Sequence, residues 1–334
     1  MKFIIEKLLE SQDLNQLESK NVMLEIMSGK YDDAQISGFL IALRSKGAKS
    51  EEIAGFAEAM REKMTHIECV DGAIDMCGTG GDSSGTFNVS TAASFVVAAA
   101  GVPVAKHGNR SMTSKSGSAD VLEALGVNIS LSIEDVSDCI EKIGIGFMFA
   151  PSLHPAMKHA IGARKSLGIR TVFNILGPLC NPAGVRRQLM GIYNGDLTEI
   201  VANVFKRLGS INAMIVHGDD GLDEITTTAK TKISHLQNSG EIINESFSAL
   251  ESGFRLASLE DLKGGPPELN AQIIQDILSG NENGKKTDIV ILNAAAGILV
   301  GGKVESINDG IDVAREMISS GASIDVLHKL MAVK

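Results

Sequence analysis

The sequence predicts an α/β protein in two parts: a small all-helical N-terminal domain over residues 1–66, and a large α/β domain over 70–334 whose central, mostly parallel sheet is covered by helices. Three observations lead there. Residues 1–66 carry only helical periodicity, and strand and helix patterns alternate from about residue 70. The alternation opens with a strand, a glycine-rich loop, an apolar helix and a second strand within residues 74–115. A length of 334 residues also favours one large and one small domain over a single core. Helices from about 164–184 are candidates to join the small domain.

In the first part, Phe3, Ile4, Leu8 and Leu9 share one helical face, as do Val22, Met23 and Ile26, followed by Ile36, Phe39, Leu40 and Leu43. Ser28-Gly29-Lys30 and Gly47 to Ser50 separate short helices, and Ser50 ahead of Glu51, Glu52 and Ile53 is a helix start. In the second part a buried helix runs through Ser90 to Ala100, with Asn88, Ser90 or Thr91 near its N-cap and Gly101 just past its end. A buried strand follows over Val102 to Ala105. Helices are expected over 118–125, 132–143 (capped by Ser132) and 156–167, the last beginning after Pro155 and stopped by Gly168. Strands are expected over 147–150, 188–193 and 213–217, with a helix near 197–208. Residues 230–236 form a late strand, with antiparallel pairing as one option. Beyond Gly264-Gly265-Pro266-Pro267 the pattern is helical to the end, clearest in Ile307, Ile311, Ala314 and Ile318.

Gly78-Thr79-Gly80-Gly81-Asp82 joins the first strand to the buried helix. Glycines let backbone amides approach a ligand closely, and a helix N-terminus adds unpaired N–H groups and partial positive charge. The loop is neither a Walker loop, which needs Gly-Lys-Ser/Thr, nor a dinucleotide fingerprint, since Ser83 stands where the third glycine belongs. Alone it is equally a simple strand-to-helix turn. Lys106-His107-Gly108-Asn109-Arg110-Ser111-Met112-Thr113-Ser114-Lys115 adds three cations and several hydroxyls at the end of the second strand, where parallel sheets bind ligands. Together these segments read as a phosphate site.

Composition sets bounds. Hydrophobic residues make up 44% and charged residues 22%, ordinary for a soluble globular protein. Apolar runs fall short of a membrane span, and the N-terminus does not follow a signal-peptide pattern. Cys69, Cys77, Cys139 and Cys180 form no CxxC pair, which points to a reducing cytoplasm; Cys77 reads as a small buried thiol rather than a nucleophile. A net charge of −10 with no Lys/Arg run argues against nucleic acid as a partner.

The Gly78–Asp82 loop, Asn88-Val89-Ser90-Thr91 and Lys106-His107-Gly108-Asn109-Arg110 resemble the anthranilate phosphoribosyltransferases. Further blocks match in family order: Phe149 to Met157, Arg164 to Thr171 with Phe173 to Leu179, and His217-Gly218 with Gly221 to Glu224. The resemblance spans essentially the whole chain. It implies transfer of a phosphoribosyl group from phosphoribosyl pyrophosphate to the amine of anthranilate, in tryptophan biosynthesis. It places Gly78, Thr79, Gly80, Gly81, Asp82, Thr86, Asn88, Val89, Ser90, Thr91, the segment Lys106, His107, Gly108, Asn109, Arg110, Ser111, Met112, Thr113, Ser114, and Ser118 around the donor. It places Gly78, His107, Asn109, His154, Arg164, Gly177 and Pro178 along the anthranilate path, and makes Ser90, Asp223 and Glu224 magnesium ligands. A guanidinium at Arg164 suits a carboxylate because it gives two parallel hydrogen bonds. Read singly, Arg164 is also a surface arginine, Asp223-Glu224 a solvated turn, His107 and His154 structural, and Gly177-Pro178 a turn. No residue is expected to be an essential acid or base, since an arylamine loses its proton readily once bonded to carbon. Ile161-Gly162-Ala163 departs from the family by placing a glycine inside a helix. A homodimer through the small domain is likewise implied by the resemblance. Alternatives are a pyrimidine-nucleoside phosphorylase of the same fold, and a non-enzymatic nucleic-acid-binding paralogue.

Overall fold

The computed structural model describes residues 1–81, 84–111 and 115–334. Four helices open the chain: α1 (Lys2–Leu9), α2 (Gln16–Met27), α3 (Asp33–Lys46) and α4 (Ser50–Lys63). Asn15 and Asp32 accept the N–H groups of Glu18 and Gln35 and close capping boxes at α2 and α3. α4 starts at Ser50, as the sequence predicts. Lys49 is the N-cap, and its N–H donates to the buried Glu52 carboxylate at 2.8 Å.

The second part contains β1 (Ile74–Gly78), α5 (Val89–Ala99), β2 (Val104–Gly108), α6 (Ser118–Ala124), α7 (Ile133–Lys142), β3 (Ile145–Phe149), α8 (Ala150–Leu153), α9 (Lys158–Leu167) and α10 (Phe173–Leu179). There follow β4 (Arg187–Gly191), α11 (Thr198–Arg207), β5 (Asn212–Gly218), β6 (Lys230–Leu236), β7 (Ile242–Ser248), α12 (Pro267–Leu278), α13 (Lys285–Val300), α14 (Ile307–Ser319) and α15 (Ala322–Met331). The strands form one sheet in the order β3-β2-β1-β4-β5-β6-β7. Neighbours from β3 to β5 are parallel, and β6 and β7 add antiparallel. Strand order therefore reverses between β1 and β4, and ligands in such sheets bind at the carboxyl ends beside that reversal.

Side chains alternate between the two faces of the sheet. Ile74, Met76, Val104, Leu189 and Met214 pack with α5, α12 and α13. Met190, Ile192, Ala213 and Ile215 on the other face share a cluster with α11, α10 and the N-terminal helices. Ala160 and Ala163 of α9 and Phe173, Leu176 and Leu179 of α10 pack in that same cluster. α5 is small and apolar on nearly every side because it is buried on nearly every side.

Several expected boundaries are corrected. The second strand, expected over 102–105, runs Val104–Gly108, because Lys106 and His107 are buried within it at 2% and 8% exposure. The third begins earlier, at Ile145. Pro155–Met157 is a 3-10 turn, and α9 starts only at Lys158. β7 has no counterpart among the expected strands. It is an exposed edge strand carrying Asn244 and Glu245, and edges tolerate polar residues that hide the alternating signal.

Candidate active site

The glycine loop leaves β1 at the strand-order reversal, with Gly80 at φ +66° and Gly81 at φ +73°, backbone that favours glycine. Two of its amides are committed within the protein: Thr79 N donates to Gly191 O at 3.0 Å, and Gly80 N to Asp223 Oδ2 at 2.7 Å. The Thr79 hydroxyl accepts from Tyr193 N at 3.0 Å. The loop is thus tied to the end of β4, to Tyr193 just beyond it and to Asp223. Asp82, Met112, Thr113 and Ser114 lie outside the described residues.

Asp223 and Glu224 meet this loop from the segment after β5. Glu224 Oε1 accepts from Ser90 N, in the first turn of α5, at 3.2 Å. The segment is held from below by Asn293 of α13, fully buried, whose side chain accepts from Ile225 N and donates to Ile225 O, each at 2.9 Å. Asp220 closes its other end, accepting from Leu222 N and Thr226 Oγ1. Ser90 and the adjacent Asp223-Glu224, more than 130 positions away in sequence, therefore share one corner. Among the described residues no three His, Cys, Asp or Glu side chains gather into a metal cluster. The corner offers two carboxylates to a cation and leaves its other ligands to phosphate and water, a donor set that suits magnesium.

The remaining donor-side residues occupy mixed positions. Asn88 is the N-cap of α5 without a side-chain cap; its amide bridges Ser116 O and Asn270. Val89 is buried core, and Thr91 is buried with its hydroxyl lacking a partner among the described residues. Thr86 bridges to Lys263 outside the sheet. Gly108 is small because a Cβ there would meet Ser118 Oγ at 2.2 Å. Asn109 O receives Ala119 N, and Ser111 N donates to Asp120. The three cations differ from expectation. Lys106 is buried with Nζ on Met76 O at 2.6 Å, and Arg110 is paired with Asp120 and Glu123, which hold its pKa up. Lys115 stands exposed.

On the acceptor side, His107 Nε2 and His154 Nε2 lie 3.2 Å apart, a contact that needs one donor and one acceptor. Burial, then the charges of His154 and Lys106, push the His107 pKa down to about 3; burial pushes that of His154 to about 4. Burial thus favours the neutral form of both rings. Arg164, half-buried on α9, lies over the Phe173 ring at 5.2 Å, its pKa drawn down by burial. Gly177 and Pro178 lie in α10, and Gln188 Nε2 joins Pro178 O at 2.8 Å to Cys77 Sγ at 3.2 Å. That bond sets α10 against the base of the loop. Burial raises the Cys77 thiol well above its ordinary range, which disfavours the thiolate.

Sequence reasoning passes over Asn293, Gln188 and Arg170. Arg170 donates to Gly81 O, lies over Tyr193 at 4.4 Å, and accepts Arg44 of α3 on its carbonyl, so it links the helical part to the glycine loop. An asparagine amid the apolar residues of α13 is the one local signal available.

Helical bundle, sheet and a carboxylate-faced glycine loop define a two-part glycosyl transferase. Residues 2–64 match the helical bundle domain of the glycosyl transferase family, and residues 71–324 its a/b domain. The chain is 54% identical over 333 residues to the anthranilate phosphoribosyltransferase of Acetivibrio thermocellus, covering 99% of this chain and 96% of that one. The crystal structure of the Thermus thermophilus enzyme matches with TM-score 0.93 at 39% identity, over 98% of both chains. The Saccharomyces cerevisiae enzyme in complex with phosphoribosyl pyrophosphate and Mg matches with TM-score 0.90 at 29% identity, over 99% and 96%. The chain belongs to the anthranilate phosphoribosyltransferase family.

Proposed function

We propose that this chain transfers the phosphoribosyl group of phosphoribosyl pyrophosphate to the amine of anthranilate, giving N-(5-phosphoribosyl)anthranilate and pyrophosphate for tryptophan biosynthesis. The observation that carries this reading is the joining of Asp223 to Gly80 N and of Glu224 to Ser90 N at the strand-order reversal. It gathers two carboxylates, the donors a hard divalent cation prefers, beside a glycine loop and a helix N-terminus, which supports a metal–diphosphate reading. Yeast relatives bound to phosphoribosyl pyrophosphate with Mg, and to 4-fluoroanthranilate, support the same substrates.

In the reaction the anomeric C–O bond to pyrophosphate breaks and the C–N bond to the amine forms, after which the nitrogen loses a proton. Asp223, Glu224 and the Ser90 hydroxyl would hold magnesium, which would supply charge to neutralise the departing pyrophosphate. The Gly80 N–H donates to Asp223 Oδ2 and so holds that carboxylate against the glycine loop. Lys106 contributes its charge from beneath the floor. Asn109 and Arg164 orient anthranilate, and the neutral His107–His154 pair lines its path. The mechanism draws on positioning and charge stabilisation rather than on a side-chain base.

The test is anthranilate fluorescence followed in time; the chain has no tryptophan to interfere. Loss of signal requires enzyme, donor and magnesium together. No loss with the donor bound would mean a different acceptor. In the same assay Arg164→Ala is expected to raise the anthranilate KM about 10- to 100-fold, the worth of a charge-assisted bidentate contact, with the donor KM little changed. Equal weakening of both substrates would remove that role from Arg164.

The protein works as a homodimer in the cytoplasm. Phe3 and Leu9 of α1 and Ile41 of α3 are 71%, 68% and 43% exposed, apolar side chains of the helical part that a second copy would cover. Four free thiols fit a reducing compartment, and no described helix is long and apolar enough to cross a membrane. Sedimentation should give twice the 35.2 kDa chain mass, and Ile41→Glu should shift it toward one. A wild-type monomer would exclude the dimer.

A further inference from the structure

β1 pairs with β4 over five residues and β2 with β3 over five, yet β1 and β2 share only the Ile74–Val104 register. The first ladder bond, Ile74 N to Pro103 O at 2.9 Å, is made normally. Continuing in that register, Ala105 O, Met76 O and His107 N would serve the ladder. Each instead meets a side chain. Asn181 Nδ2 donates to Ala105 O at 2.9 Å, Lys106 Nζ to Met76 O at 2.6 Å, and His107 N to Asp75 Oδ1 at 3.2 Å.

These three side chains are 0% (Asp75), 2% (Lys106) and 3% (Asn181) exposed. Burying polar groups is costly, and a regular ladder would satisfy the same backbone without them. The Asp75 carboxyl is not even fully served: Oδ2 has no hydrogen-bond partner among the described residues. The gap opens toward the carboxyl ends of both strands, where β1 becomes Gly78–Gly81 and β2 becomes Asn109–Ser111.

We infer that Asp75, Lys106 and Asn181 form a polar splice that holds β1 and β2 apart and so sets the width of the slot between the glycine loop and the His107–Ser111 segment. Asp75 and Asn181 are positioning residues, acting through the β2 backbone. The inference rests on the reading of those two segments as the donor site.

Asn181→Ala, in the full-length protein, is expected to raise the KM for phosphoribosyl pyrophosphate about tenfold while kcat and the anthranilate KM stay within about twofold, since small misplacements remote from the chemistry carry such penalties. Asp75→Ala should do at least as much, whereas Asp75→Asn, which keeps an acceptor for His107 N, should recover most of the donor affinity. A folded Asn181→Ala enzyme with an unchanged donor KM, or with all three parameters altered alike, would overturn the splice. If Asn181→Ala does not fold, equal donor KM values for Asp75→Asn and Asp75→Ala would do so. A wild-type protein that neither binds nor consumes the donor would instead overturn the functional reading.

Discussion

Replacing Asp223 with Asn and Glu224 with Gln together is expected to lower turnover about a thousandfold or more and to abolish its dependence on magnesium. The amides keep the size and much of the hydrogen bonding of the carboxylates, so Gly80 N and Ser90 N retain acceptors and Asn293 still fastens Ile225. What disappears is the pair of negative charges that a hard divalent cation requires. Pyrophosphate would then leave without the charge that a bound cation would supply. The measurement is the anthranilate assay across a magnesium titration, with thermal melting to show that the fold survives. Full activity in the double variant would refute the metal assignment.

Gly78→Ala is expected to produce the second largest loss, on the order of a hundredfold in kcat/KM for the donor, with an increased magnesium requirement. A Cβ at Gly78 would stand 2.4 Å from Asp223 Oδ2 and 3.0 Å from its Cγ. The carboxylate has little room to yield, because the Asp223 carbonyl lies 1.6 Å from where a Cβ on Gly191 would be. Two glycines on adjacent strands thus box one aspartate. Displacing the carboxylate breaks its bond to Gly80 N and misaligns loop and cation together. An unchanged magnesium requirement in Gly78→Ala would show that the box does not position the metal ligand.

The glycine loop, the buried helix after it and the acidic pair after β5 are legible because each is written in neighbouring residues. A Gly-Thr-Gly-Gly run, an apolar stretch ending at Gly101 and an Asp-Glu dipeptide in a glycine-flanked turn all announce local chemistry. Helix starts are legible for the same reason, as at Ser132, whose hydroxyl accepts Asp135 N at 3.1 Å. The end of β2 is misplaced in the sequence reading because Lys106 looks like a surface residue. Only a carbonyl on another strand, 30 positions earlier, accounts for its burial.

By itself, then, the sequence determined the two-part class, the alternation of strands and helices from β1 to β6, and the blocks that carry the family resemblance. These depend on periodicity, capping and turn chemistry, which act over a few residues. The tertiary structure alone decided that Asp223 rests on Gly80, that Asn293 and Arg170 brace the site, and that the sheet parts between β1 and β2 around Asp75, Lys106 and Asn181. Those contacts join residues dozens to more than a hundred positions apart, and strand order and register set them. No local pattern encodes such distances.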